Sequence, residues 1–129
     1  LHTFEINDEQ EDFTRPWLEN SPYADKIKFY IGDALELLPK MDLTFDLAFV
    51  DGDKRKYVEC YELVLKMLSP GGYIIADNTL WDGHVLEEPQ HTDRQTIGIK
   101  KFNELVAQDD RVEKVILPLR DGLTIIRKK

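Results

Sequence analysis

The chain has 129 residues, 42% of them hydrophobic and 33% charged, the make-up of one globular domain with a core of its own. A net charge of −8 argues against a general binder of nucleic acid or anionic membrane, because both are polyanions. No apolar run reaches the roughly 18 residues of a membrane span, and residues 1–20 are acidic, without the apolar stretch of a secretory leader.

Residues 1–6 carry β-branched and aromatic side chains and predict a short strand. Asn7-Asp8-Glu9 then sets a capping side chain and acidic groups at the electropositive start of a helix. Over 8–20, Phe13, Trp17 and Leu18 fall at helical spacing; Pro16 predicts a kink or a restart, and Ser21-Pro22 an end. Residues 26–31 alternate apolar and polar, as a half-buried strand does, and Gly32-Asp33 turns into a short helix over 34–38 stopped by Pro39. Phe45–Val50 is a nearly unbroken apolar run, which predicts a strand buried on both faces, as in a parallel sheet. Over 55–68, Tyr57, Cys60 or Tyr61, Val64, Leu65 and Leu68 form one stripe of an amphipathic helix, stopped by Pro70-Gly71-Gly72. Residues 73–76 predict a second buried strand leading into Asp77-Asn78. Residues 79–93 show no sustained period and read as a loop, whereas 95–108 put Ile99, Phe102, Leu105 and Val106 on one helical face. Strands over 112–119 and 123–127 are joined by Arg120-Asp121-Gly122, short enough for an antiparallel hairpin.

Strands and helices therefore alternate, which predicts a single α/β domain over residues 1–129 with a mostly parallel sheet and an antiparallel C-terminal pair. Ligands of such sheets bind beyond the carboxyl ends of the strands. Glu5, Asp33, Asp51 and Asp77-Asn78 all end or follow a predicted strand. Asp51, Asp77 and Asn78 put three oxygen-bearing side chains at the ends of two neighbouring strands, a donor set for a hard divalent cation such as Mg²⁺. The competing reading is that the two aspartates cap the segment that follows; the trio after two apolar strands favours the cation. Glu5 suits hydrogen bonds from ribose hydroxyls, or is a solvated strand end. For Gly32-Asp33-Ala34 a turn and helix N-cap is the favoured local reading, with approach to an adenine ring the alternative. Lys54, three residues past Asp51, suits a general base beside a metal-bound hydroxyl, but on local sequence a solvated helix-start lysine in Lys54-Arg55-Lys56 is the favoured reading. Trp81 suits stacking on a flat substrate, or anchors its loop. His2, His84 and His91 are scattered and form no metal motif, and the lone Cys60, with no internal disulfide partner, fits a reducing, cytoplasmic setting.

The segment 45–54, Phe-Asp-Leu-Ala-Phe-Val-Asp-Gly-Asp-Lys, resembles the metal-binding strand of the cation-dependent O-methyltransferases, the caffeoyl-CoA and catechol O-methyltransferase-like enzymes. The segment 68–81, Leu-Ser-Pro-Gly-Gly-Tyr-Ile-Ile-Ala-Asp-Asn-Thr-Leu-Trp, resembles a second motif of the same family. Phe102-Asn103, Asp109-Asp110-Arg111-Val112 and 117–124 resemble its ending, so the likeness runs from Leu1 to about Lys128. It implies a Rossmann-like S-adenosylmethionine-dependent methyltransferase fold and methyl transfer to a catechol-type hydroxyl, with Mg²⁺, Ca²⁺ or Mn²⁺ as the cation. It further implies that Asp51, Asp77 and Asn78 hold the cation and that Glu5 holds the cofactor ribose. Asp33 and Ala34 would then lie near the adenine, Asp51 and Asp53 near the cofactor, and Lys54 would take the proton from the attacking hydroxyl. Trp81 and Asp82 face the acceptor; Asp82 stands where plant relatives often have Asn, which bears on ring-substituent preference. Caffeoyl-CoA, a free catechol or flavonoid, and a modified-tRNA hydroxyl are the family's acceptor classes, and a homodimer its frequent assembly.

The family carries a glycine-rich strand and turn, and helices, ahead of the glutamate matched by Glu5. The chain is therefore expected to be the C-terminal portion of a methyltransferase domain, lacking the first, central strand. Its first two strands should then stand apart from the other four. Two readings of other classes compete: a receiver-like phosphoacceptor domain built on Asp51, and a non-catalytic assembly piece that completes its sheet with another chain. Calorimetric titration of this chain alone with S-adenosylmethionine is expected to show no micromolar binding; a micromolar Kd would overturn the fragment expectation.

Overall fold

The computed structural model describes all residues, 1–129. They divide into two compact units, Leu1–Asp42 and Leu43–Lys129. Six strands fall into two separately hydrogen-bonded sheets, one of two strands and one of four.

In the first unit, β1 (His2–Glu5) and β2 (Lys28–Ile31) pair in parallel, with Glu5 beside Ile31. The Asn7 side chain accepts from the Glu9 amide at 3.1 Å and starts a 3-10 turn that leads into α1 (Glu11–Glu19). Pro16 sits within α1 and does not divide it. The expected stripe is split: Leu18 is half-buried, whereas Phe13 and Trp17 are exposed, and Arg15 reaches within 5.2 Å of the Phe29 ring centre. α2 (Ala34–Leu37) starts at Asp33, whose carboxylate accepts from the Leu35 amide at 2.9 Å; Pro39 lies inside the 3-10 turn that follows. Asp33 thus takes the N-cap position that local sequence favours.

In the second unit, β3 (Phe45–Val50) pairs in parallel with β4 (Leu68–Asp77). β6 (Leu123–Lys128) lies antiparallel between β4 and β5 (Val112–Leu117), giving the order β3-β4-β6-β5. Three of these strands point one way and β6 is reversed, the expected mostly parallel sheet with its antiparallel C-terminal pair. Pro70-Gly71-Gly72, expected to be a helix stop, falls inside β4. The register slips between Phe45 and Leu47, where Gly71 takes φ 81°, and the extra residues bulge out of the ladder.

Helices α3 (Tyr57–Met67) and α4 (Arg94–Gln108) bury Tyr57, Tyr61, Val64 and Leu65 of one, and Ile99, Phe102 and Val106 of the other. They join Val50, Ile74, Ala76 and Ile126 of the sheet in one core. Phe102 meets Tyr57 and Tyr61 edge-on, with ring centres 5.4 and 5.8 Å away, so three aromatics interlock where the helices cross. Cys60 is only half-buried; Tyr61 completes the stripe.

The apolar run of β3 is not buried on both faces. Side chains alternate along a strand, and the residues out of phase with the core, Leu47 and Phe49, are 60% and 62% exposed. Tyr73, Val115 and Leu117 share that open face by register.

Two features tie α3 and α4 to their surroundings. At Gly98 in α4, a Cβ would lie 2.3 Å from the Lys54 carbonyl oxygen, so only glycine allows the helix this close to the chain after β3. Midway along α3, Tyr61 donates to Asp109 Oδ2 at 2.7 Å, and Arg111 forks between Asp109 (2.7 Å) and Glu62 (2.8 Å). The Arg111 guanidinium holds the Asp109 carboxyl well below the usual carboxylate range, outweighing the opposing effect of burial.

Gly98→Ala is expected to lower unfolding stability by about 1–3 kcal/mol, read from the urea midpoint, because the backbone it strikes cannot swing aside; an unchanged midpoint would mean the contact is looser than described. Asp109 has a depressed folded pKa, so its contribution is complete above the unfolded value near about 3.9 and is lost as pH falls through the folded value. The stability gap between the unaltered chain and Asp109→Asn should therefore be wide at pH 7 and close with acidification below about pH 4. A gap that is constant across that range would assign the effect to packing instead.

Candidate active site

The carboxyl ends of β3 and β4 lie side by side, since Val50 pairs with Ala76. Asp51 and Asp77, the next residue of each, are therefore brought to one edge of the sheet. Asn78 follows in the left-handed region at φ 57°, which Asn tolerates better than most side chains. Its amide N–H closes onto Asp77 Oδ1 at 2.7 Å, while its side-chain amide makes no hydrogen bond. Asp51 Oδ1 accepts from Lys54 Nζ at 2.9 Å. Each carboxylate thus keeps Oδ2 uncommitted, and the three residues offer only hard oxygen donors. No group of three or more His, Cys, Asp or Glu converges in the chain, so two carboxylates and an amide make up this candidate set.

Lys54 is not the solvated lysine that local sequence favours. It opens a 3-10 turn over Lys54–Lys56 and is 5% exposed, the one buried member of its basic run. Its ammonium donates to Asp51 and, at 2.7 Å, to the Tyr57 hydroxyl; it also lies 6.0 Å from the centre of the Trp81 ring. A buried ammonium needs such partners, because desolvation otherwise drives it to the neutral form. Tyr57 is 1% exposed, and its hydroxyl also reaches the carbonyl oxygens of Asp77 (2.9 Å) and Val50 (3.1 Å). Burial, with the Asp51 and Asp77 charges, pushes the phenol far above its ordinary pKa and keeps it protonated.

Asp53 caps the turn: its carboxylate accepts from the Arg55 amide at 3.0 Å and from the Arg55 guanidinium, which holds it below the usual carboxylate range. Both oxygens are occupied by Arg55. In the first unit, Glu5 Oε1 accepts from the Asn7 amide at 2.8 Å, leaving Oε2 uncommitted. The Gly32 amide bonds the Glu5 carbonyl at 2.8 Å, so Glu5, Asp33 and Ala34 gather at the carboxyl end of the two-stranded sheet.

The segment after Asn78, expected to be a loop, contains a 3-10 stretch at Trp81–Leu86 broken at Asp82 and Gly83 (φ 52° and 86°). The β5–β6 turn anchors it. Thr79 and Leu80 amides bond the carbonyls of Gly122 (3.1 Å) and Asp121 (2.9 Å), and the Asp82 amide bonds Asp121 Oδ1. Buried Thr79 further meets Thr124 Oγ1 at 2.8 Å and, through its carbonyl, Asn103 Nδ2 at 2.8 Å. A cleft of about 620 Å³ opens there between Asn78, Trp81, Asp82, His84, Asp93, Arg120 and Asp121. All four non-glycine residues with positive φ in the chain, Asn78, Trp81, Asp82 and Arg120, line it. Backbone strain of this kind gathers at ligand sites and persists only where the surroundings over-determine it.

The structure therefore brings Asp51, Lys54, Asp77, Asn78 and Trp81 together, with Asp53 and Asp82 on the flanking turns. Sequence reasoning missed Tyr57, counted there only as a core residue, and the Thr79–Asn103–Thr124–Asp121 anchor. The available signal for Tyr57 was its place three residues after Lys54, at the first turn of a helix that follows a strand-end aspartate.

The profile of the O-methyltransferase family matches residues 1–129. Tricin synthase 1 of Oryza sativa subsp. japonica is 36% identical over 134 residues, covering 93% of this chain and 53% of that protein. Caffeoyl-CoA O-methyltransferase 1 of Eucalyptus globulus is 33% identical, covering 96% and 54%. The crystal structure of the O-methyltransferase TomG from Streptomyces achromogenes, involved in tomaymycin synthesis and solved in complex with SAM, superposes with a TM-score of 0.90. It is 27% identical and covers 100% of this chain and 61% of that one. The chain thus spans about half the length of the curated relatives it matches. With one family matched from its first residue to its last, on a fold that superposes throughout, the chain belongs to the O-methyltransferase family.

Proposed function

We propose that the protein carrying this chain transfers a methyl group from S-adenosylmethionine to a hydroxyl of a catechol-type acceptor, assisted by a divalent cation. One observation carries the reading: Asp51 and Asp77 stand at paired strand ends with uncommitted oxygens, and a buried lysine ammonium lies 2.9 Å from Asp51. The SAM complex of TomG supports the methyl donor, and the name of the Eucalyptus relative supports an acyl-catechol acceptor. A receiver-like phosphoacceptor has no support from any of these.

Asp51, Asp77 and Asn78 would hold the cation, Mg²⁺ or else Ca²⁺ or Mn²⁺, whose Lewis acidity lowers the pKa of an acceptor hydroxyl. Lys54 would take the proton from that hydroxyl, and S-adenosylmethionine, when bound, would supply the methyl group. The Trp81 face stacks on a flat acceptor and Asp82 meets its ring substituents. Glu5 would accept hydrogen bonds from the ribose, while Asp33 and Ala34 would receive the adenine. Asp51 and Asp53 would lie near the cofactor, with Asp53 held by Arg55. Orientation of the two reactants supplies most of the acceleration. No helix is long and apolar enough to cross a membrane; a cytoplasmic homodimer acting on a small molecule, with a modified tRNA as the less favoured acceptor, completes the reading.

The test uses the natural full-length protein with methyl-labelled S-adenosylmethionine and three acceptors: caffeoyl-CoA, a free catechol and modified tRNA. Turnover on a catechol-bearing acceptor should vanish with a chelator and return with Mg²⁺. Asp77→Asn should lower Mn²⁺ affinity by at least the ~10–100-fold that loss of an outer-shell partner alone brings at metal sites. Turnover indifferent to chelation and to Asp77→Asn would remove the cation from the reading, and no methylated hydroxyl in any acceptor would overturn it.

A further inference from the structure

We infer that Tyr57 is a positioning residue for Lys54, fixing the direction in which the lysine nitrogen faces the reaction. The inference rests on the proposed role of Lys54 in methyl transfer. A phenol has one proton to donate and lone pairs to accept with. The carbonyl oxygens of Val50 and Asp77, 3.1 and 2.9 Å from the Tyr57 oxygen, are acceptors only. The single phenolic proton is therefore directed at them, and toward Lys54 Nζ at 2.7 Å Tyr57 can only accept.

An ammonium has three N–H groups. One is taken by Asp51 Oδ1 and one by Tyr57, and both bonds hold a side chain that is 7% exposed. The third is the only one without an assigned partner, so the two bonds fix the direction in which the nitrogen can meet an acceptor hydroxyl. Without the phenol oxygen, two protons would compete for that direction and the head group would rotate about its stem. Tyr57 is itself held rigid: its ring meets Phe102 edge-on at 5.4 Å. Its hydroxyl bridges the ends of β3 and β4, so the lysine is referenced to the same two strand ends that carry Asp51 and Asp77.

A purely structural tyrosine would also be buried here, so the test separates the two roles. In the full-length protein, Tyr57→Phe is expected to lower kcat about 10- to 100-fold, as a misplaced reacting group does, with KM for S-adenosylmethionine within about twofold of the unaltered enzyme. In a Lys54→Met background the same Tyr57→Phe change should alter the residual kcat by less than about twofold, because the group it positions is gone. An equal loss in both backgrounds, or no loss in either, overturns the inference while leaving methyl transfer in place. Full turnover by Lys54→Met alone overturns both this inference and the proposed role of the lysine. A readout free of turnover accompanies the kinetics: the ¹⁵Nζ ammonium resonance of Lys54, assigned by its absence in Lys54→Met. It should be sharp and slowly exchanging in the unaltered protein and lost to fast exchange in Tyr57→Phe. A resonance unchanged by Tyr57→Phe overturns the inference whether or not an acceptor has been found.

Discussion

A lysine ammonium buried at the end of a parallel strand pair is the constraint on which the second unit is organised. Removing a charge from water is expensive unless it is paired and hydrogen-bonded. Lys54 meets that requirement with Asp51 on one side and the Tyr57 hydroxyl on the other. Tyr57 in turn closes two strand-end carbonyls that a parallel sheet would otherwise leave without a donor. One polar chain thus runs through β3, the turn after it, α3 and β4, and every bond in it depends on the others being in place.

The apolar packing serves the same arrangement. Phe102 interlocks with Tyr57 and Tyr61, which sets the rotation of α3 and hence where the Tyr57 hydroxyl falls. Gly98 lets α4 press against the Lys54 backbone, closing the lysine off from solvent. The middle of α3 is secured by Tyr61, Asp109, Arg111 and Glu62, where charge and hydrogen bonding offset the burial of a carboxylate. On the other side of the cleft, the β5–β6 turn holds Thr79, Leu80 and Asp82 through backbone bonds. The reversed strand β6 is what delivers that turn beside Asp77, since Leu123 pairs with it. Fold and site are therefore not separable: the antiparallel C-terminal pair carries the wall against which Trp81 and Asp82 are set.

The open face of the four-stranded sheet follows from the same geometry. Alternation along each strand presents Leu47, Phe49, Tyr73, Val115 and Leu117 away from the helices. Charge and composition of the strand give no hint of this, because an apolar run reads alike whether one face or both are covered.

The sequence by itself determined the order of elements, the parallel pair of apolar strands, the hairpin at the end and the strand-end positions Glu5, Asp33, Asp51, Asp77 and Asn78. These are legible because they rest on local signals: period, turn residues and the switch from apolar to polar at a strand's end. It also marked Lys54, but favoured a solvated side chain there, because burial is a property of what packs above a residue rather than of the residue. Only the tertiary structure decided that Lys54 is buried while Arg55 and Lys56 are exposed, that Tyr57 is a polar partner as well as a core residue, and that Pro70-Gly71-Gly72 bulges within β4 rather than ending a helix. It alone brought Asn103, Thr79, Thr124 and Asp121 around the turn after Asn78. These residues lie tens of positions apart in sequence, and hydrogen bonds between such distant groups leave no periodic trace in the chain; strand pairing and helix crossing create them.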